Sequence, residues 1–304
     1  MREIFHILPT IIKDYVERYP AEDRENMEEI RLRIGRPVEI VGLKSKTKNH
    51  PPIFTEKDAS QMMSLLSQHS LYRLEEELKR GYITIPGGHR VGIAGRVVMD
   101  KGHVKGLREI GSYNIRIAKE KQGVSDDYIR ELYRRNHWTN TLIIGPPKTG
   151  KTTLLRDLAR KISLGMPQIG IPAKNVAIVD ERSEIAGCIH GIPQHHFGTK
   201  VDVLDACPKA EGMMMMIRSM SPDVLVVDEI GREEDGRAMM EAIYAGVTVI
   251  STVHGTTLEN VKKRPTIKAL LEESAFETII EISAVGKKGV FKYLDKTEPG
   301  VISR

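Results

Sequence analysis

The stretch that most constrains how this chain can fold lies at residues 145–152. Its sequence is Gly-Pro-Pro-Lys-Thr-Gly-Lys-Thr, which has the spacing G-x-x-x-x-G-K-[ST]. An apolar run at 141–144 precedes it, and residues 153–159 have helical spacing. A buried strand, a glycine-containing loop and a helix in this order predict a loop that binds phosphate groups. The alternative is a glycine turn that contains Lys and Thr by coincidence.

Each part of this loop has a role in binding a triphosphate. Backbone N–H groups can converge on phosphate oxygens, and the helix that opens at Gly150 adds the positive end of its dipole. Lys151 would reach the β- and γ-phosphates, and the Thr152 hydroxyl would hold Mg²⁺. The sequence therefore predicts ATP and Mg²⁺ as cofactors. The predicted nucleotide-binding residues are Gly145, Pro146, Pro147, Lys148, Thr149, Gly150, Lys151, Thr152 and Thr153.

A second acidic signature follows the apolar run at 224–227, which ends in Asp228-Glu229. A buried strand of this kind delivers its acids to the carboxyl edge of a parallel sheet, where the phosphate loop also lies. Asp228 would hold Mg²⁺ through a water, and Glu229 would polarise the attacking water.

Two further strand ends carry polar residues toward the same edge. Asp180-Glu181 ends one apolar run, and Glu181 is the second candidate for the catalytic base, although these acids could also cap a helix. His254 follows another strand and could sense the γ-phosphate, or could be a structural histidine.

The basic residues are distributed unevenly along the chain. The formal net charge is +5, and residues 1–122 hold 22 Lys and Arg against 17 Asp and Glu, whereas the remainder is balanced. This excess predicts either a solvated face or a surface for acidic partners, nucleic acid or a neighbouring subunit's nucleotide. A neighbouring subunit often supplies an arginine to the γ-phosphate. The candidates, which could equally form surface salt bridges, are Arg90, Arg96, Arg108 and Arg116.

Composition and pattern predict a cytoplasmic protein. No 18 apolar residues run together, the first residues do not form a signal peptide, and two cysteines suggest a reducing compartment. Only 5% of the residues are aromatic, and no run of aromatics suits base stacking, so a nucleic-acid partner is not expected.

The secondary-structure pattern divides the chain into two domains. Residues 1–122 mix helices, including one at 3–19 and one at 71–78, with alternating strands, which predicts a smaller α+β domain. Residues 123–304 begin with a predicted helix at 126–137 and then alternate strand and helix, which predicts an α/β domain with a parallel sheet. A connection at 286–289 joins the two closing strands.

Several of these motifs occur together in one known superfamily. The chain resembles the type II/IV secretion and pilus motor ATPases, and within them a branch that acts in sporulation. The resemblance rests on residues 29–37, 87–92, 145–152, 178–185, 221–231 and 252–255.

The resemblance implies an N-terminal domain joined to a RecA-like P-loop core, and hexamers with ATP between subunits. It implies that Asp180-Glu181 form an acidic box and that His254 belongs to a histidine box. The motors usually carry Gly-Glu where this chain has Asp228-Glu229, so the analogy supports Glu229 as the catalytic acid more strongly than it supports Asp228 as a metal ligand.

The same resemblance implies a function. The protein would hydrolyse ATP in the mother cell of a spore-forming bacterium and energise a channel to the forespore, through membrane-embedded partner subunits. Two rival functions remain open at this point: a nucleic-acid-dependent RecA-like ATPase of the helicase or packaging type, and a nucleotide-dependent scaffold with little turnover.

Overall fold

The computed structural model describes residues 1–43, 50–67, 75–100, 102–119, 121–282, 290–294 and 301–303. The chain divides into two units, Met1–Lys119 and Glu120–Arg304. Within the described ranges, no helix combines the length and the apolar character that a membrane crossing requires.

The first unit is built on a five-stranded sheet in which all neighbouring strands are antiparallel, with the order β2-β1-β5-β4-β3. The strands are β1 (Glu29–Arg33), β2 (Glu39–Val41), β3 (Tyr82–Ile85), β4 (His89–Asp100) and β5 (His103–Arg116). The helices are α1 (Arg2–Ile7), α2 (Thr10–Glu17), α3 (Ala21–Asn26), α4 (Glu56–Ser67) and α5 (Glu75–Arg80). Apolar residues from α1, α2 and α4 pack with one face of the sheet in a buried core.

Two predictions for this unit need correction. The single helix predicted over 3–19 is wrong: Pro9 separates α1 from α2 in an extended conformation, because proline lacks the N–H that would continue the first helix. The sequence pattern also predicts a strand only from Ser112 to Ala118, whereas β5 begins at His103 and forms a longer hairpin with β4. The predicted helix at 71–78 lies partly outside the described residues, and α5 starts at Glu75.

The second unit contains an eight-stranded sheet with the order β10-β9-β11-β12-β8-β13-β14-β15. The first six strands in this order, β10-β9-β11-β12-β8-β13, are parallel, and β14 and β15 extend the sheet as antiparallel strands. The predicted α/β class is confirmed. The sheet strands are β8 (Thr141–Gly145), β9 (Val176–Asp180), β10 (Val201–Asp205), β11 (Val224–Val227), β12 (Thr248–His254), β13 (Thr278–Glu281), β14 (Val290–Leu294) and β15 (Val301–Ser303).

Helices and one hairpin complete the second unit. The helices are α6 (Ile129–Leu132), α7 (Lys151–Leu164), α8 (Lys209–Met220), α9 (Glu233–Tyr244), α10 (Leu258–Val261) and α11 (Pro265–Glu272), and the hairpin joins β6 (Tyr133–Arg134) to β7 (His137–Trp138). Two apolar clusters, which between them include residues from both faces of the sheet, form the core. The predicted connection at 286–289 lies outside the described residues.

The helix predicted at 126–137 is wrong. Only Ile129–Leu132 is helical, and Arg135 and Asn136 adopt φ values of 47° and 64°, which turn the chain into a tight hairpin. The sequence pattern also missed β10, whose residues are all half-buried and include two aspartates. The sequence pattern predicts a helix from Asp205 to Met220, whereas α8 begins at Lys209, after Pro208.

The sheet order brings four strand ends to one edge. The phosphate loop follows β8, and β12 lies beside it with His254 opposite Gly145. Next to β12 is β11, and next to that is β9, with Val227 opposite Val179. Because these strands are parallel, the residues that follow them meet at the same edge.

Candidate functional site

The loop at 145–150 has a fixed shape that depends on its glycines. Lys148 and Gly150 have φ values of 64° and 93°, and α7 starts directly after Gly150. A Cβ on Gly145 would lie 2.7 Å from Thr149 Oγ1, so the loop closes tightly over this glycine. The first N–H groups of α7 have no partner within the helix, which makes this end suitable for an anion.

Lys151 is the first residue of α7, and its side chain is only 5% exposed. Its Nζ donates to the Pro146 carbonyl at 3.0 Å and contacts His254 Nδ1 at 3.0 Å. Burial lowers the pKa of Lys151, and the carboxylates of Asp228 and Glu229 act in the opposite direction. The amine is therefore held at the mouth of the loop by two acceptors that a phosphate oxygen can replace.

Asp228 connects α7 to the neighbouring strands. Thr152 Oγ1 donates to Asp228 Oδ2 at 2.7 Å, and Thr252 Oγ1 donates to Asp228 Oδ1. The Thr252 hydroxyl also accepts the Glu229 N–H at 2.9 Å. The Asp228 carboxylate therefore lies against the Thr152 hydroxyl, which is the group of the phosphate loop expected to hold Mg²⁺.

These oxygens fit the chemistry of Mg²⁺. The described residues contain no group of three or more His, Cys, Asp and Glu side chains that could hold a metal ion. Mg²⁺ does not require such a group, since it is usually held by one or two protein oxygens together with waters and substrate phosphates. The adjacent Thr152 hydroxyl and Asp228 carboxylate meet that requirement.

Glu229 is held at both carboxylate oxygens. Its Oε1 lies 2.5 Å from His254 Nε2, and its Oε2 lies 3.1 Å from Arg182 Nη1. When Lys151 donates to Nδ1 of a neutral imidazole, Nε2 must carry the hydrogen and donate to Glu229. Glu229 itself has a φ of 54°, so the backbone is left-handed at this residue, two positions beyond the end of β11.

One cleft of about 690 Å³ is bordered by Lys151, Thr152, Glu229 and His254, and its volume is within the range of small-molecule sites. Its lining comprises Lys121, Val124, Tyr128, Pro147, Lys148, Thr149, Gly150, Lys151, Thr152, Thr153, Leu154, Arg182, Glu184, Glu229, His254 and Ile282. The lining includes the apolar side chains of Val124, Tyr128 and Ile282, which suit a ring system, and the residues of the phosphate loop, which suit phosphates.

The acids that follow β9 have different surroundings. Asp180 is buried and accepts the backbone N–H groups of residues 184, 185 and 186 at 2.8, 3.0 and 2.8 Å. Burial raises the pKa of Asp180 to about 6, against the opposing effect of these hydrogen bonds. Glu181 forms an ion pair with Lys209 and borders a small adjoining pocket, which shares Arg182, Glu184 and Glu229 with the cleft.

Arg156 ties the phosphate-binding helix to the same loop. Its Nε donates to the Ile185 carbonyl at 2.6 Å, and its Nη2 donates to the Glu184 carbonyl at 2.7 Å. Glu184 lines the cleft, so Arg156 and Asp180 together fix the backbone that presents this carboxylate.

The predicted arginine candidates lie in the first unit and have partners there. The Arg90 guanidinium lies 3.3 Å from the centre of the Tyr82 ring. Arg96 contacts Glu109 at 3.3 Å on an exposed stretch of hairpin, opposite Arg108, and Arg116 is 3.9 Å from Glu29. Arg96 and Arg116 are mostly exposed, at 74% and 63%.

Sequence reasoning missed several residues that the structure places around the cleft, notably Lys121, Tyr128, Arg156 and Arg182. Arg156 carries only a partial signal: its spacing places it one turn after Thr152 on the same helix, but not which loop it contacts. Arg182 carries a weaker signal: it stands two residues after a strand that points to the predicted site.

Comparison with known proteins agrees with this geometry. A family model described as sporulation stage III, protein AA, matches residues 1–298. Stage III sporulation protein AA from Bacillus subtilis (strain 168) is 52% identical over 309 residues, which cover 100% of this chain and 98% of that protein. Type II secretion system protein E from Aeromonas hydrophila is 29% identical over 50% of this chain and 28% of its own length.

Solved structures share the fold. The Legionella pneumophila ATPase DotB has a TM-score of 0.61 at 15% identity, over 94% of this chain and 80% of its own. The pilus retraction motor PilT, solved with bound ADP, has a TM-score of 0.55 at 18% identity, over 90% and 80%. The second unit therefore has the RecA-like P-loop fold of secretion ATPases. By sequence, the chain belongs to the sporulation stage III protein AA family.

Proposed function

We propose that this chain is an ATP-hydrolysing motor. The observation that carries the proposal is the meeting of the phosphate-loop residues Lys151 and Thr152 with Asp228, Glu229 and His254 at one sheet edge. The relationship to secretion ATPases supports the same conclusion, since PilT is described as a motor and was solved with ADP.

The proposed mechanism assigns a task to each of these side chains. Lys151 exchanges its bonds to Pro146 and His254 for oxygens of the β- and γ-phosphates. Thr152 and Asp228 would hold Mg²⁺, which supplies charge neutralisation between the phosphates when bound. Glu229 orients the attacking water and accepts its proton, while His254 holds the Glu229 carboxylate in place.

The motor would act at a membrane. By analogy with its relatives, the chain would assemble as a hexamer in the mother-cell cytoplasm and engage membrane-embedded subunits of a channel to the forespore. ATP hydrolysis would then drive assembly of that channel or transport through it. We further propose that residues 1–122 and 123–304 act as separate domains within each subunit.

In such a hexamer, an arginine of the first unit would act on the nucleotide of a neighbouring subunit. Arg96 and Arg116 are the better candidates because their guanidinium groups are mostly exposed. Arg90 is already engaged with an aromatic ring, so its release would cost a cation–π contact.

The direct test is phosphate release from ATP and Mg²⁺ by the purified full chain. We expect Lys151→Ala to abolish nucleotide binding, whereas Lys268→Ala, which removes an exposed lysine of α11, should leave binding and turnover unchanged. Wild-type turnover no greater than that of Lys151→Ala would contradict the motor and favour a scaffold. Stimulation by single-stranded nucleic acid with a steep salt dependence would favour the nucleic-acid-dependent rival.

A further inference from the structure

Besides Lys151, the cleft lining contains a second cation, Arg182, which lies in the segment that follows β9. Arg182 lies two residues beyond the end of β9, and Glu229 lies two residues beyond the end of the adjacent β11. The parallel register of these strands places the two side chains side by side, with Arg182 Nη1 3.1 Å from Glu229 Oε2. Both side chains line the cleft beside the phosphate loop.

Polar contacts join this arginine to the phosphate-binding lysine without a break. Arg182 contacts Glu229, Glu229 contacts His254, and His254 contacts Lys151. The two ends of this series are cations, and both border the same cavity. A phosphate chain that enters the cleft therefore meets a positive group on either side of Glu229.

We propose that Arg182 is a catalytic residue that stabilises the γ-phosphate charge of the nucleotide bound by its own chain. This inference rests on the proposed ATPase function and adds to it a cation supplied in cis. It differs from the arginine candidates of the first unit, which would act on a neighbouring subunit's nucleotide.

The physical reason is competition for the guanidinium. A γ-phosphate offers more negative charge than one carboxylate, and a guanidinium binds two phosphate oxygens at once. When Arg182 moves from Glu229 Oε2 to the γ-phosphate, that carboxylate oxygen becomes available to the attacking water. The water oxygen then bonds to the γ-phosphorus, its proton passes to Glu229, and the bond to the β-phosphate oxygen breaks with its electrons leaving on ADP.

The other cations near this edge are less suited to that task. Lys209 pairs with Glu181 in the adjoining small pocket and is not part of the cleft lining, and Arg156 is bound to two carbonyls of the loop. Arg182 is 61% exposed even with its contact to Glu229, and when the arginine moves to the phosphate Glu229 keeps its contact to His254.

The test measures turnover, nucleotide affinity and the binding of ADP with aluminium fluoride, which imitates the transferring phosphoryl group. We expect Arg182→Ala to lower kcat roughly 10²- to 10³-fold, as loss of one charge-stabilising donor does. The affinity for ADP should stay within about twofold, and the stabilisation by aluminium fluoride should be lost. Arg182→Lys should recover part of the rate, because it keeps the charge without the planar fork.

Arg237→Ala is the matched control, since Arg237 is an exposed arginine of α9 that lies outside the cleft. Thermal unfolding of each variant separates a loss of folding from a loss of chemistry. Mixtures of wild-type and Arg182→Ala chains should give activity in proportion to the wild-type fraction, whereas a residue acting across subunits should depress it further.

Three results would overturn the inference: a kcat within twofold of wild type, a change confined to KM, or more than proportional inhibition in mixtures. These are distinguishable from failure of the proposed function. If the wild-type chain itself shows no turnover above Lys151→Ala, both the ATPase and the role of Arg182 are wrong. If the wild-type chain hydrolyses ATP and Arg182→Ala hydrolyses it equally well, the proposed ATPase function is retained and the proposed role of Arg182 is wrong.

Discussion

Two adjacent strands of the second unit end in the same dipeptide, Asp-Glu, and the two ends have different surroundings. At the end of β9, Asp180 accepts three backbone N–H groups and Glu181 pairs with Lys209. After β11, Asp228 accepts the hydroxyls of Thr152 and Thr252, and Glu229 borders the cleft. The strands are parallel and in register, so the difference does not come from their direction.

The difference comes from what the sheet order places beside each end. Only β12 separates β11 from the phosphate-loop strand β8, so Asp228 can reach a hydroxyl of α7. β9 is one strand further away, and its aspartate instead holds the backbone of residues 184–186. An acidic strand end is therefore a weak functional signal until its distance from the phosphate loop is known.

The largest expected effect distinguishes Asp228 from Asp180. Asp228→Asn removes a charge that both threonine hydroxyls contact and that would help hold Mg²⁺, so we expect kcat to fall at least about 10³-fold. Asp180→Asn should lower kcat less than about tenfold, because the Asp180 carboxylate accepts the backbone N–H groups of residues 184–186 rather than a hydroxyl of α7. Steady-state phosphate release at saturating Mg²⁺ measures both, and equal losses would contradict the division of roles.

The second prediction concerns stability and pH. The pKa of Asp180 rises from an ordinary value of 3.8 to about 6 in the folded state. A raised pKa means that the protonated carboxyl favours folding, so this contribution is fully present below pH 3.8 and is lost as pH rises through 6. Relative to Asp180→Asn, the wild type should lose a few kcal/mol of unfolding free energy between pH 4 and 7.

Denaturant unfolding over that pH range checks this prediction, with Asp14→Asn reporting the effect of removing an exposed carboxylate from α2. A difference between wild type and Asp180→Asn that stays constant with pH would show that Asp180 does not titrate as a buried group.

The smallest expected effect concerns the ion pair between Lys209 and Glu181. Lys209 is 11% exposed and Glu181 is 24% exposed, so the pair is largely shielded from water. Lys209→Met should cost about 1–3 kcal/mol of unfolding free energy by leaving the carboxylate without its partner, and kcat should change less than threefold. Thermal unfolding and turnover together measure this; a large loss of kcat would bring Glu181 into the chemistry.

Much of the site could be predicted because it depends on strand ends. The meeting of Thr152 with Asp228, and of Lys151 with His254, follows from apolar runs that deliver polar residues to one edge of a parallel sheet. The α/β class and most strands of the second unit follow from the same runs. The resemblance added the superfamily, and the RecA-like fold and the sporulation family were then confirmed.

The missed parts depend on backbone direction rather than on composition. The helix predicted at 126–137 ends early because two residues adopt positive φ, which an apolar periodicity does not reveal. Arg156 and Arg182 were missed because their roles depend on which loop folds back against α7 and which strand lies beside β11. To predict side-chain partners of this kind, one must know the sheet order, which the sequence pattern alone left open.

The most direct measurement of the central claim compares Glu229→Gln with Glu181→Gln in single-turnover hydrolysis of bound ATP. The account predicts that Glu229→Gln retains bound ATP and splits it at least about 10²-fold more slowly than wild type, because the water loses its proton acceptor. Glu181→Gln should split ATP within a few-fold of the wild-type rate. Normal hydrolysis by Glu229→Gln, together with a defect in Glu181→Gln, would contradict the account and move the chemistry to the end of β9.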